Sequence, residues 1–316
     1  MTNALGLSPT DVSCPSETLC VFAGDISPPK PGEQVPAVAV STGPFTAQSD
    51  VVGTTTTFPP SPDTSWSFVA CPSLSLCVLS SVDGVYVTTD PAAAHWTLEV
   101  APSSEYAFGQ VSCPTVSFCA VVTGAGVLVS RYPSNGSSRW SYIHLGEVGL
   151  QDIACPTAGL CVAGGSGDVI VGGWIETSTD PLDAASWQGG PTTHPSFAQH
   201  SGQYSVSGIS CPTAAFCIAA VVGGQPLIST NPGGGVAAWP GVAKGSNDLG
   251  GTESPGLAAC TTTGQCSVSG IGSFRAGAGA LGPGVVGYPL PGVSCVSTSF
   301  CVTTADNQLA VGKATG

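Results

Sequence analysis

Fourteen cysteines recur in this 316-residue chain as seven pairs, and every pair has the spacing C-x5-C. The third pair stands in "SCPTVSFCA" at 112–120, and a close copy, "SCPTAAFCI", occupies 210–218. Internal self-similarity of this kind marks a structural unit that is stacked several times. The pairs are Cys14 and Cys20, Cys71 and Cys77, Cys113 and Cys119, Cys155 and Cys161, Cys211 and Cys217, Cys260 and Cys266, and Cys295 and Cys301.

The distance between pairs indicates which repeat unit this is. Successive first cysteines are separated by 57, 42, 42, 56, 49 and 35 residues. A four-stranded propeller blade takes roughly 40–50 residues, and insertions between strands account for the variation. The 43 Gly and 27 Pro disfavour helices and favour short strands joined by turns. The sequence therefore predicts an all-β, seven-bladed β-propeller of four-stranded blades, forming one domain over residues 1–316.

The two cysteines of a pair are predicted to face each other across a hairpin. In the third copy, "GQVSC" and "CAVV" have the character of strands, and Pro114 presets the backbone for the turn between them. Neighbouring side chains across such a hairpin come close enough for a disulfide. Zinc sites instead need four converging ligands and shorter cysteine spacing, and a redox C-x-x-C is absent. We therefore expect one hairpin disulfide per blade.

Disulfides predict an oxidising compartment, so we expect a secreted or cell-surface protein. The first residues, "MTNALGLSPTDVSC", have no signal-peptide character. If the protein is exported, we expect this sequence to be a mature form or an excised domain. Charged residues make up 8% of the chain, and the formal charge is −13 with only six Lys plus Arg. This charge balance argues against nucleic acid and anionic membranes as partners. The chain lacks an apolar run of about 18 residues, which predicts no membrane span.

A second phrase follows several hairpins, as in "DGVYVTTDPAAAHWTL" of copy two and "WIETSTDPLDAASWQ" of copy four. Its skeleton is a strand, Ser or Thr, Asp or Asn, Pro, a short loop and Trp. It resembles the Asp-box, or BNR, repeat of the sialidase-like propellers, which occupies the turn between the third and fourth strands of a blade. Pro replaces the usual residue after Asp, and copies one, six and seven lack the phrase. The hairpins look like those of secreted bacterial propellers. The acidic or amide positions are Asp90, Asp180 and Asn231, followed by Trp96, Trp187 and Trp239.

The last copy supplies only two strands after its cysteine turn, in "CVTTADNQLAVGKATG". We expect "NALGL" at 3–7 to provide the missing fourth strand and to close the ring. Closure removes free sheet edges, which otherwise promote aggregation.

The resemblance also indicates where function lies. In such propellers the cysteine turns and Asp-box-like turns share one face, and the pocket lies on the other face, among unrepeated loops. Long segments occur there at 25–36, 52–65, 100–108, 143–152, 189–206 and 241–256. The candidate catalytic acids are Asp25, Asp83, Glu105, Glu147, Asp168 and Glu253, and the candidate binding residues are Tyr106, Trp174, His194, His200, Tyr204 and Arg275.

These residue types limit the chemistry. Glycosidases need two carboxylates at a set separation, which the sequence does not give. Sialidases clamp the substrate carboxylate with three arginines. In this chain Arg131 and Arg139 flank a turn on the wrong face, so only Arg275 is well placed and sialidase activity is not expected. His194 and His200 share a loop, but no metal site is assigned. No cofactor is expected, and Ca²⁺ held by acidic loops is the alternative.

Three functions follow as hypotheses. The first is an exported, disulfide-stapled propeller, expected to be a monomer, that binds a carbohydrate or an extracellular protein without catalysis. The second is a glycoside hydrolase or polysaccharide lyase acting from the loop-rich face. The third is a structural cell-surface module.

Overall fold

The computed structural model describes most of the first 240 residues and the strands of the last two repeats. The described residues are 7–26, 35–45, 53–60, 67–93, 95–102, 108–146, 148–167, 173–192, 205–222, 226–240, 258–260, 265–268, 272–275, 292–297, 300–305 and 308–312.

These residues form seven antiparallel sheets, one for each cysteine pair, and in every sheet the strands lie side by side in chain order. The fold class is all-β, as predicted. Sheet 1 contains β1 (Ser8–Ser16), β2 (Leu19–Ile26), β3 (Val35–Thr42) and β4 (Gly53–Thr57); sheet 2 contains β5 (Phe68–Ser73), β6 (Leu76–Ser81), β7 (Gly84–Thr88) and β8 (Thr97–Val100); sheet 3 contains β9 (Val111–Thr115), β10 (Phe118–Thr123), β11 (Gly126–Ser130) and β12 (Trp140–His144); sheet 4 contains β13 (Gly149–Thr157), β14 (Leu160–Ser166), β15 (Gly173–Ser178) and β16 (Trp187–Pro191).

Within the described ranges the last three sheets have three strands each. Sheet 5 contains β17 (Val206–Thr213), β18 (Phe216–Val221) and β19 (Leu227–Ser229); sheet 6 contains β20 (Ala258–Cys260), β21 (Gln265–Val268) and β22 (Gly272–Arg275); sheet 7 contains β23 (Gly292–Ser297), β24 (Phe300–Ala305) and β25 (Gln308–Gly312).

The chain divides into two compact units. Unit 1 combines Met1–Val121, Val129–Ser141 and Leu290–Gly316, and within it the first strands pack in the order β23, β1, β5 and β9. Unit 2 combines Val122–Leu128 and Tyr142–Pro289, and within it β13 packs beside β17, and β17 beside β20. The strand predicted to close the ring falls on 3–7, of which only Leu7 is described. Leu7 is buried in a cluster with Phe22 and Phe300.

The predicted hairpin disulfides are present. Five bridges join the first and second strands of sheets 1 to 5, with the Cα atoms of each pair 4.1–4.2 Å apart. Cys260 and Cys295 are also disulfide-bonded, and the strand register sets Cys266 and Cys301 directly opposite them. No cysteine in the described part of the chain is free.

A hydroxyl at the tip of each described hairpin explains the Ser or Thr that follows Cys-Pro. Ser73 Oγ accepts the N–H of Ser75 at 3.1 Å, and Thr213 Oγ1 accepts the N–H of Ala215 at 3.3 Å. Such turns satisfy a backbone donor locally and hold the two strands in register. The recurring phrase is therefore a structural turn rather than a reactive site.

The Asp-box-like phrases also form turns, and each contains a short 3₁₀ helix. The helices are Pro91–Ala93, Ser137–Arg139, Ala184–Ser186 and Val236–Ala238. In sheet 4, Ser178 Oγ accepts the N–H of Asp180 at 3.1 Å, and the indole N–H of Trp187 donates to the carbonyl of Pro181 at 3.3 Å. The equivalent hydroxyl bond is made to residues 90, 132 and 231. The strand-end hydroxyl and the Trp thus stabilise this turn.

Neighbouring sheets are joined by the serine that precedes the first cysteine. Ser13 Oγ accepts the N–H of Cys71 at 2.9 Å, so it links sheet 1 to sheet 2. Ser210 makes the same bond to Cys260 at 3.0 Å, and Ser294 makes it to Cys14 at 2.9 Å. The last bond joins sheet 7 to sheet 1 within unit 1.

Two buried aspartates make further links. The Asp11 carboxylate accepts the N–H of Val12 at 2.8 Å and that of Val69, on sheet 2, at 2.9 Å. Asp152 on β13 accepts the N–H of Ile153 at 2.7 Å and also that of Ile209 on sheet 5. Apolar side chains also fill the space between neighbouring sheets. Ile175 of sheet 4 and Leu227 of sheet 5, for example, pack in one cluster.

Candidate functional site

Each sheet has two distinct ends. We call the end with the cysteine turn and the turn between the third and fourth strands the cysteine end. The opposite end, where the second strand passes to the third, we call the loop end. Asp83 in the β6–β7 turn and Trp174 near the start of β15 mark the loop end in sheets 2 and 4. The sequence predicted that function would lie at this end.

Most of the predicted site residues fall outside the described ranges, so their roles stay predictions. Asp25 is described, but it lies within β2, paired with Ser8 and Pro36, rather than in a loop. Arg275 pairs with Gln265, next to a cysteine, so the register places it at the cysteine end and not at the loop end. The residues outside the described ranges are Glu105, Tyr106, Glu147, Asp168, His194, His200, Tyr204 and Glu253.

Asp83 is the predicted acid with the most informative surroundings. Its carboxyl group is half-buried, and burial raises the pKa of Asp83. Burial also raises the pKa of Tyr86, and the nearby negative charge of Asp83 adds to that effect. The ring of Tyr86 packs on Phe58 with centroids 4.5 Å apart. Asp83 therefore sits beside an apolar contact between sheets 1 and 2.

Trp174 forms a pair with a carboxylate that the sequence reasoning missed. Its indole N–H donates to Glu176 Oε1 at 2.7 Å, and both side chains lie on the same face of β15. Glu176 is 5% exposed, whereas Trp174 is half-buried. Burial raises the pKa of Glu176, and the hydrogen bond from Trp174 partly offsets this. A charged residue inside the apolar strand "WIETS" was the signal in the sequence.

A glycine on the neighbouring strand makes room for this pair. Gly189 lies opposite Glu176 in the β15–β16 ladder. A Cβ atom at Gly189 would meet the Glu176 carboxylate, whereas one at Gly190 would meet only Val236 at 3.5 Å. The Glu176 side chain therefore lies over Gly189 and holds the Trp174 indole in place at the loop end, where Trp174 is half-buried.

A small polar pocket lies at the cysteine end of sheet 2. It has a volume of about 160 Å³, and its lining includes Asp90, His95, Glu99 and Ser134. Burial raises the pKa of Glu99, and the backbone N–H of Gly136 partly offsets this by donating to the carboxylate. The pocket is open and lies on the face that the sequence assigns to scaffold turns.

Neither end shows a metal centre in the described part of the chain, where no three His, Cys, Asp or Glu side chains converge. Two of the six predicted acids, Asp25 and Asp83, are described, and they lie on different sheets. None of the helices in the described ranges is long and apolar enough to cross a membrane.

Comparison with known proteins identifies the architecture. No protein-family model matches the chain, and no curated protein matches it. Solved structures do match along nearly its whole length. YCF48 bound to D1 peptide has a TM-score of 0.62 at 10% identity and covers 100% of this chain and 96% of that chain.

Two other solved structures are similar. The WD40 β-propeller domain of Doa1 has a TM-score of 0.60 at 11% identity, covering 99% of this chain and 95% of that chain. PorZ, a bacterial surface component of the type-IX secretion system of Porphyromonas gingivalis, has a TM-score of 0.58 at 12% identity, covering 98% of this chain and 37% of that chain. The fold is thus a β-propeller with one sheet for each cysteine pair, as predicted. The finer Asp-box, sialidase-like assignment stays a prediction.

Proposed function

We propose that this chain is an exported, disulfide-stapled β-propeller that binds a glycan or another extracellular macromolecule without catalysis, with Trp174 as a contact residue. The paired cysteines support export, because disulfides persist in oxidising compartments. The formal charge of −13 disfavours nucleic acid as the ligand. A monomer is the expected state of the free protein.

The observation that carries the proposal is the fixed tryptophan of sheet 4. A half-buried Trp side chain can supply apolar contact area at low entropic cost when its orientation is already set. The Glu176 carboxylate sets that orientation through the indole N–H. Trp174 also lies at the loop end of sheet 4, the end at which the sequence predicts function.

A protein ligand is supported by analogy only. YCF48 is bound to a peptide in the structure that this chain resembles, and PorZ is a bacterial surface component. At this low identity the likeness shows the fold alone, so a polypeptide partner belongs to the proposal on the same footing as a glycan.

A glycan array and an array of extracellular proteins, probed with the wild type, Trp174→Ala and Trp174→Phe, test this function. We expect the wild type to bind at least one ligand on the arrays. Trp174→Ala should weaken the affinity for that ligand at least tenfold, and Trp174→Phe should keep most of it. Tyr132→Ala is the matched control, because Tyr132 is 54% exposed and belongs to the turn at the cysteine end of sheet 3. Equal binding by wild type and Trp174→Ala would remove Trp174 from the site.

The alternative function is a glycoside hydrolase or polysaccharide lyase. Glu176 favours it, because a buried carboxyl with a raised pKa can act as a general acid. A polysaccharide-hydrolysis screen with Glu176→Gln decides between the two: turnover by the wild type that is lost in Glu176→Gln replaces the binding proposal with the enzyme.

A further inference from the structure

Asn135 is the only one of the five asparagines in the chain that is followed by glycine. It is exposed in the turn that joins β11 to β12 at the cysteine end of sheet 3. The backbone nitrogen of the residue after an asparagine can attack the side-chain amide, and glycine, which has no Cβ, hinders this attack least. The pair Asn135 and Gly136 therefore has the covalent arrangement that deamidation without an enzyme requires.

The conformation of Gly136 leaves this pair open to solvent. Its φ of 92° and ψ of 162° lie in a region that is essentially restricted to glycine. A Cβ atom built on Gly136 would meet no other atom within 4 Å. Water can therefore reach the bond between Asn135 and Gly136, which the hydrolytic step of a deamidation requires.

The side-chain amide of Asn135 is polarised by the residue before it. Ser134 Oγ donates a hydrogen bond to Asn135 Oδ1 at 3.3 Å, which draws electron density away from the Cγ atom. The same donor stabilises the negative charge that develops on Oδ1 when Cγ is attacked. The backbone N–H of Asn135 donates to the Tyr132 carbonyl at 3.0 Å and fixes the turn around it. The folded turn thus holds the electrophile of the reaction in an activated state.

The nucleophile of the reaction is restrained by a carboxylate of sheet 2. The Gly136 N–H donates to Glu99 on β8, and Glu99 and Ser134 line the same small pocket. The Gly136 nitrogen can attack only after its N–H has left this acceptor and given up its proton. A neighbouring negative charge opposes the loss of that proton, because it disfavours a second negative charge. The Glu99 carboxylate therefore slows the reaction for which the turn is otherwise prepared.

We propose that Asn135 is a site of spontaneous deamidation and that the hydrogen bond from Gly136 to Glu99 sets its rate. The Gly136 nitrogen forms a bond to Asn135 Cγ, and the Cγ–Nδ2 bond breaks. The proton of Gly136 passes through water to Nδ2, which leaves as ammonia, so that a succinimide remains. Water then opens the ring at either carbonyl and gives aspartate or isoaspartate. No electrons are transferred, and water is the only co-reactant.

The modification adds one negative charge to a chain whose formal charge is already −13. The new carboxylate lies in the turn whose backbone Glu99 binds, and like charges repel each other. Isoaspartate also lengthens the backbone of the turn by one carbon atom. The reaction therefore weakens a contact between sheets 2 and 3 at the cysteine end. It goes beyond the proposed binding function and does not depend on it.

Peptide mapping by mass spectrometry tests the site after the whole protein has been kept for weeks in mildly alkaline buffer. We expect Asn135 to be deamidated in Glu99→Ala at least roughly tenfold faster than in the wild type, the factor that one hydrogen bond to a charged acceptor supplies. Isoaspartate should form beside aspartate, because direct hydrolysis of the amide gives aspartate alone. Asn231 should remain unmodified, because the next residue, Pro232, has no N–H.

Asp90→Asn is the matched control. Asp90 lines the same pocket, but its carboxylate accepts the N–H of Ala93 rather than that of Gly136. Sheet 5 has Asn231 at the equivalent position, so the substitution keeps the turn and removes only the charge. The deamidation rate of Asn135 in this variant should stay within about twofold of the wild-type rate.

Glu99→Gln provides a second variant, because Gln keeps an oxygen acceptor for the Gly136 N–H and loses only the charge. We expect its rate to lie between those of the wild type and Glu99→Ala, and it replaces Glu99→Ala if that variant does not fold. Equal rates in the wild type and the folded Glu99 variants, or an equal acceleration in Asp90→Asn, would overturn the role of Glu99. An unmodified Asn135 in the Glu99 variants, or aspartate without isoaspartate, would overturn the site itself.

Discussion

The carboxylate of Asp152 on sheet 4 accepts the backbone N–H of Ile209 on sheet 5 and is fully buried between the two sheets. Burial raises the pKa of Asp152 to about 6, and the N–H groups of Ile209 and Ile153 offset only part of this effect. Asp11 makes the corresponding link between sheets 1 and 2. Aspartates three residues before a first cysteine therefore cross-link neighbouring blades.

The pKa of Asp152 predicts that stability falls as pH rises from about 4 to 6. In this window the unfolded chain has lost the proton, whereas the folded chain keeps it, so rising pH favours unfolding. A pKa of about 6 in the folded protein, against an ordinary Asp value of about 4, corresponds to about 3 kcal/mol. Denaturant unfolding from pH 4 to 8 should show a larger loss for the wild type than for Asp152→Asn. Identical pH profiles for the two proteins would contradict this assignment.

Removal of the Asp11 carboxylate should destabilise unit 1. Asp11→Ala leaves the N–H groups of Val12 and Val69 without their acceptor, and we expect the free energy of unfolding to drop by about 3 kcal/mol. Glu17→Gln is the control, because Glu17 is exposed at a hairpin tip and Gln keeps an oxygen that can accept the Ser297 hydroxyl, so stability should change by under about 0.5 kcal/mol. Equal denaturation midpoints for the two variants would show that the Asp11 link contributes nothing.

Substitutions at two neighbouring glycines of β16, Gly189 and Gly190, separate the effect of displacing Glu176 from a general effect on the strand. Gly189→Ala places a Cβ against the Glu176 carboxylate, so we expect the carboxylate to move away and the Trp174 indole bond to break. Gly190→Ala meets only ordinary contacts and serves as the control. Tryptophan fluorescence should change in the first variant and remain close to wild type in the second. A change of similar size in both would indicate a general effect on the strand.

Loss of a single bridge should weaken the fold without abolishing it. Cys113→Ser combined with Cys119→Ser opens a small loop, for which the chain-entropy model gives a loss of about 2 kcal/mol. The strand register Ala120↔Ser112 of the hairpin should persist, because backbone pairing and the turn hydroxyls hold it independently. Amide exchange in β9 and β10 measures this. Complete loss of protection there would mean that the disulfide, not the hairpin, specifies the fold.

Local features of the fold were predictable, because residues close in the sequence determine them. The hairpin tip needs a hydroxyl two residues before the N–H that it accepts, and Trp187 bonds to Pro181 only six positions away. Both sequence phrases repeat along the chain, so the sequence marked the two turns, whereas the bonds that hold them were found in the structure. The predicted position of Arg275 at the loop end was wrong. Its position depends on where β22 ends and on which residue it pairs with, here Gln265.

Features that join distant parts of the chain were not predictable. Asp152 and Ile209 are 57 positions apart, and nothing near Asp152 in the sequence marks its partner. The pairing of Glu176 with Trp174 is local, but its significance depends on burial, which packing against neighbouring strands determines. The sequence therefore predicted only the loop end as the region of the candidate site. The Glu176 carboxylate, which orients the Trp174 ring, was found only in the structure.

Peptide mapping of the unreduced protein by mass spectrometry tests the central claim, a scaffold of seven self-contained, disulfide-stapled blades, most directly. We predict seven cross-linked peptides, each joining the two cysteines of one C-x5-C pair, including Cys260 to Cys266 and Cys295 to Cys301. Free thiols, or a link between cysteines of different repeats, would contradict the account.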